Sequence, residues 1–222
     1  MNESTHPAGI EKQTSILATN KVIRNTYILL SMTLLFSAAT AGISMKLNLP
    51  HPGFIITLVG YFGLLFLTTK FRNSSLGIVC VFALTGFMGF TLGPIINMYL
   101  GLPNGTELVM NALGATAITF VGLSFYALSS RKDFSFLGGF IMVGVIVAFL
   151  AGIGAYFLEM QGLSLIVSAM FVILMSAMIL WQTSQIINGG ETNYIMATVT
   201  LYIAIYNLFT SLLHLMGVLS DD

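Results

Sequence analysis

Seven long stretches free of Lys, Arg, Asp and Glu divide this 222-residue chain. They run over residues 25–45, 47–69, 73–106, 108–130, 134–158, 160–190 and 192–220. Each holds about 20 mostly apolar residues, enough helix to cross a hydrocarbon core roughly 30 Å thick. The apolar runs are continuous rather than alternating, which argues for helices over a closed barrel. Only 7% of the residues are charged, against roughly a quarter in an ordinary soluble domain. So few charges cannot clothe a soluble surface, and the chain reads as an all-α, multi-pass membrane protein.

The expected spans are 26–45, 54–70, 76–100, 107–129, 135–158, 163–182 and 194–219. Residues 1–25 form a polar N-terminal tail without apolar periodicity, expected to be mobile. Residues 26–222 form the bundle. The polar residues from Gln182 to Gly190 read as the loop after the sixth span. Lys12, Lys21, Arg24, Lys70, Arg72, Arg131 and Lys132 fall on one side of a seven-span topology, and Lys46 alone falls on the other. The positive-inside rule then places the N-terminus in the cytoplasm and the C-terminus outside.

The chemistry of many enzymes is missing from the pattern. There is no HExxH, no GxSxG and no Walker loop. All eight acids lie in expected loops, tails or span ends, so no carboxylate relay crosses the membrane. One cysteine, Cys80, excludes an internal disulfide and a cysteine-rich zinc site. Zero formal net charge argues against nucleic-acid binding. The reading is a non-enzyme without a cofactor.

Three patterns inside the spans carry information. Gly86, Gly89 and Gly93 in span three, and Gly144, Ala148 and Gly152 in span five, are small-residue stripes that let helices approach closely. Gly93-Pro94 marks a candidate kink, because proline removes a backbone donor and frees a carbonyl. In span seven, Thr200, Ala204, Asn207, Ser211 and His214 alternate spacings of four and three, which lines them along one helix face. Such a stripe forms either a polar helix interface or a water-filled path.

Three segments together resemble the Bax inhibitor family of transmembrane proteins. The first is GFTLGPI in span three, followed by Ala112 and Thr116-Ala117-Ile118-Thr119-Phe120. The second is Arg131-Lys132-Asp133-Phe134-Ser135-Phe136-Leu137. The third is Leu201-Tyr202-Ile203-Ala204-Ile205-Tyr206-Asn207-Leu208-Phe209. The resemblance covers residue 15 to the end. It implies two three-helix groups packed around a central seventh helix. Lys21 to Tyr27 and Gly189 to Ile195 carry a narrower resemblance to a bacterial inner-membrane branch that modulates the membrane-bound AAA protease FtsH. That branch implies FtsH and its associated complex as partners, with the N-terminal tail engaged by the protease. Another branch consists of pH-sensitive calcium leaks gated by two aspartates. Carried over by position, these aspartates fall on Gln182 and Ala204, and a basic gate partner falls near Arg72. Two close carboxylates couple pH to conformation because both cannot ionise cheaply. Gln182 and Ala204 cannot do so, and calcium conduction is the secondary expectation.

Overall fold

A computed structural model describes the backbone of residues 7–220 and the side chains of residues 21–220. Among these residues lie seven helices: α1 Pro7–Lys46, α2 Phe54–Phe71, α3 Ser75–Leu100, α4 Gly105–Ser130, α5 Leu137–Phe157, α6 Gln161–Ile187 and α7 Tyr194–Leu219. All seven contain a stretch long and apolar enough to cross a membrane. The connections are short, so consecutive helices run antiparallel. Arg72, Arg131 and Lys132 therefore share one end of the bundle, the basic end. Lys46 belongs to the opposite end.

Two expected boundaries shift. The polar tail, expected to be mobile, is helical from Pro7, and residues 1–6 lie outside the described residues. No Gly or Pro interrupts residues 10–25, so a helix already nucleated by the span extends backward at little cost. Proline is well suited to the first helical turn. At the other shifted boundary, α6 runs to Ile187 rather than ending near Gln182. The polar residues 182–185 are helical because they meet neighbouring helices and a docked loop instead of water. Tyr27 and Thr183 hydroxyls lie 3.3 Å apart. Ser184 Oγ donates to Lys132 O at 3.0 Å and accepts from Phe134 N at 3.0 Å. Gln185 Nε2 donates to Ser135 Oγ at 2.8 Å. The helix then stops at Gly189, whose positive φ of 78° suits glycine, and the next two amides fold back to Gln185 O.

Two triplets of helices surround α7. In the first, α1 and α2 both pack on α3; in the second, α4 and α5 both pack on α6. The third helix is the hub in each case, and the triplets cross the membrane in opposite directions. α7 packs against α6, α4, α1 and α3. Half of the spanning stretch of α3 and α7 is buried, against 6% in α2 and 17% in α5. α2 and α5 are thus peripheral, and they meet at the Lys46 end where Phe54 stacks on Tyr156 at 5.0 Å.

The small residues make the close approaches. A Cβ at Gly89 would strike Ser37 O and Thr40 Oγ1, and one at Gly93 would sit 2.6 Å from Ser44 Cβ. The glycine stripe of α3 is therefore the seat of α1. In α5, a Cβ at Gly144 would meet Leu174, Ala148 is fully buried, and Gly152 faces Val167. That stripe seats α6.

Candidate functional site

The α7 face divides by depth. Its first turn is capped by Asn193, whose Oδ1 accepts from Ile195 N and Met196 N at 3.0 Å each. Asn193 Nδ2 donates to Arg72 O at 3.0 Å and to Asn73 Oδ1 at 2.8 Å. One residue thus starts the central helix and pins the α2–α3 turn. The Arg72 side chain itself is exposed. Its backbone, rather than its guanidinium, makes this contact.

Deeper in, Thr198 Oγ1 donates to Tyr194 O at 2.7 Å and reaches Thr26 O at 3.2 Å. Tyr202 is 1% exposed. Its hydroxyl donates to Thr85 O at 3.2 Å and lies 2.6 Å from Ser37 Oγ. With its one proton committed to Thr85, the tyrosine oxygen accepts from Ser37. α1, α3 and α7 thereby meet at one buried hydroxyl. Tyr206 OH reaches Thr91 Oγ1 at 3.4 Å. The spacing pattern read from the sequence does not include Thr198, Tyr202 and Tyr206 as a group. Their spacing of four puts them on one face, and that regularity was the available signal.

The stripe singled out from sequence behaves differently along its length. Thr200 is half-buried. Ala204 is fully buried in an apolar cluster with Ala148, Leu174, Met175, Ile179 and Leu208. Asn207 Nδ2 turns back to Ile203 O in its own helix at 2.9 Å. Ser211 is buried. His214 bridges helices: Nδ1 lies 3.1 Å from Tyr99 OH on α3, and Nε2 lies 3.0 Å from Ser164 Oγ on α6. A neutral ring donates on one side and accepts on the other, so both hydroxyls are satisfied.

Gln182 is 2% exposed, and its Nε2 has no partner among the described residues; Thr26 Oγ1 and Ser124 Oγ share that condition. Gln182 on α6 and Ala204 on α7 are both buried, and Ala204 sits among apolar side chains. A cavity of about 420 Å³ lies on another face of α7, where Tyr202, Ile205, Tyr206 and Phe209 form its floor. Neither Gln182 nor Ala204 lines it.

Pro94 sits inside α3, which continues through it. Proline has no amide to give the carbonyl of residue 90. Ser44 Oγ on α1 donates to Phe90 O at 3.0 Å. The carbonyl freed by proline is thus taken by a neighbouring helix. No group of three or more His, Cys, Asp or Glu that could hold a metal ion occurs among the described residues.

Residues 19–221 match the family described as "Inhibitor of apoptosis-promoting Bax1". The chain belongs to the Bax inhibitor family. Within that family, it is 52% identical over 210 residues to "Modulator of FtsH protease YccA" of Escherichia coli (strain K12), covering 95% of each chain. A Pseudomonas aeruginosa protein is 55% identical over 201 residues, 90% of each chain. A Vibrio cholerae membrane protein is 42% identical over 207 residues, 93% of each chain. The central α7 and its two surrounding triplets agree with the arrangement that the family resemblance implies.

Proposed function

We propose that this chain is an inner-membrane modulator of an FtsH-type protease. The observation that carries the proposal is the 52% identity to the Escherichia coli protein named for that role, sustained over 95% of both chains. At that level neither the bundle nor either end of the alignment is a local graft.

Two physical features support the reading. α1 begins at Pro7, well ahead of the span expected from residue 26. With the basic end in the cytoplasm, that extension is presented to the side where a AAA protease pulls, and the C-terminus lies in the periplasm. The basic end is also locked. Asn193 ties the α2–α3 turn to α7, and Ser184 and Gln185 tie the 131–136 loop to α6. Pulling on α1 must therefore break the Ser37, Tyr202 and Thr85 node and the Ser44 bond before the bundle opens. A substrate that is gripped yet slow to unfold occupies the protease without being consumed. This action needs no catalytic residue in the chain.

Co-purification tests the proposal. In mild detergent, the tagged full-length protein recovers FtsH, and a variant lacking residues 1–25 recovers less. Failure of the full-length protein to recover FtsH contradicts the proposal.

A further inference from the structure

The cavity of about 420 Å³ is not used by the role proposed above. α1 and α4 form its walls, and α3 and α7 form its floor. Its lining is almost wholly apolar. Ala38 and Gly42 on α1 and Ala117 on α4 line it and are exposed. The mouth therefore opens sideways between α1 and α4, toward the hydrocarbon. A Cβ at Gly42 would meet nothing within 4 Å, so the wall is open there.

The length of the cavity limits its occupant. On α1 it runs from Leu34 to Met45, about 17 Å of helix, roughly half the hydrocarbon thickness. Toward the basic end it is closed where the Tyr27 ring of α1 meets the Phe120 ring of α4, with centroids 6.2 Å apart. A partner transmembrane helix crosses both leaflets and needs a groove open along its full length. An acyl chain crosses one leaflet and ends near mid-membrane, as this cavity does.

The charge pattern supplies the other half of the ligand. Ala38, Gly42 and Lys46 are spaced by four, so they share one face of α1. Lys46 is exposed at the helix end, next to Met45 at the cavity's edge. It is the one Lys or Arg at that end of the bundle. A cation above an apolar slot one leaflet deep complements a phosphate above a hydrocarbon tail.

We infer that the α1–α4 cavity is a phospholipid site, taking one acyl chain from the leaflet at the Lys46 end with the lipid phosphate held at Lys46. The volume lies within the roughly 300–1,000 Å³ of small-ligand sites. The bound chain replaces a void between two helices that otherwise lack partner atoms there.

The test uses full-length protein purified in detergent, delipidated, and then exposed to palmitoyl phosphatidylglycerol as the probe. Native mass spectrometry reads the bound fraction. Wild type retains one lipid. Ala38→Phe with Ala117→Phe fills the slot, and affinity falls about tenfold or more. Lys46→Gln weakens binding about threefold, the scale of an exposed charge pair. Val143→Phe, on the lipid-facing side of α5, keeps wild-type affinity. A second measurement does not depend on the variants folding. Phosphatidylglycerol with a diazirine in its chain is photolysed on the one-to-one complex, and adducts concentrate on α1 and α4 peptides lining the slot. Equal retention by the filled variant, or adducts spread evenly over α2 and α5, overturns the inference. So does a protein cross-linked in native membranes at Gly42 in place of lipid.

Discussion

Ser44 and Phe90 form a hydrogen bond that the backbone of α3 cannot make for itself. Because Pro94 offers no amide, Ser44→Ala leaves a carbonyl unpaired in a medium without water, at a cost of about 1–3 kcal/mol. The two positions should be coupled. In Pro94→Ala, the new amide can donate to Phe90 O, and Ser44→Ala then costs less. A double-mutant cycle of thermal melting in detergent checks this. Equal costs of Ser44→Ala in both backgrounds would contradict it. A second expectation lies outside the membrane. Ser135 donates through its hydroxyl at 2.5 Å and its amide at 2.8 Å to Asp133 Oδ1. These bonds favour the charged form and hold the carboxyl below its ordinary value. A lowered folded-state pKa contributes stability that is fully present above the unfolded value and lost as pH falls through the folded one. Loop 131–136 should therefore stay docked at neutral pH and loosen only in strong acid. Carboxyl NMR titration of Asp133 in wild type and Ser135→Ala reads the shift and its partial return.

At the scale of elements, the cost of a side chain at each helical glycine should follow what lies over it. Gly89→Leu drives atoms into the backbone of α1 and should cost about 1–3 kcal/mol. Gly114→Ala and Gly122→Ala on α4 meet nothing within 4 Å, and should be neutral or slightly stabilising, since alanine favours helix over glycine. Melting temperatures of the three variants separate these outcomes. The same scale shows what was legible from sequence. All seven spans could be located because charge is excluded from hydrocarbon, so the Lys, Arg, Asp and Glu positions bracket them. The inner end of α6 was not legible. Thr183, Ser184 and Gln185 are as polar as a loop, and only the neighbouring Tyr27 hydroxyl and the docked 131–136 loop keep them helical. The stripe on α7 was visible as a helical face, but spacing alone could not show that Ala204 sits in a dry cluster while His214 bridges two helices. The row of Thr198, Tyr202 and Tyr206, which makes the central contacts, is present in the sequence as a four-residue period.

For the whole molecule, we propose that the bundle keeps its seven-helix arrangement without an acid-gated leak. Gating by a shared proton needs two carboxylates at close range, and the positions that the resemblance assigns to them, Gln182 and Ala204, hold a buried amide and a methyl. Reconstituted wild type should show no stepped cation flux between mildly acidic and neutral pH. Gln182→Asp with Ala204→Asp tests whether the fold can still host such a gate. A steep pH-dependent flux through wild type would contradict that expectation. What the architecture does provide is a central helix tied to both triplets, a locked basic end and a helical N-terminal extension. We propose that these features let the chain occupy FtsH rather than be consumed by it. The most direct measurement is the rate at which FtsH in proteoliposomes degrades a second membrane substrate as this protein is titrated in. The expected result is a graded slowing, reduced by removal of residues 1–25, while most of the added protein stays intact. An unchanged rate at saturating protein, or destruction of this chain as fast as the substrate, would contradict it.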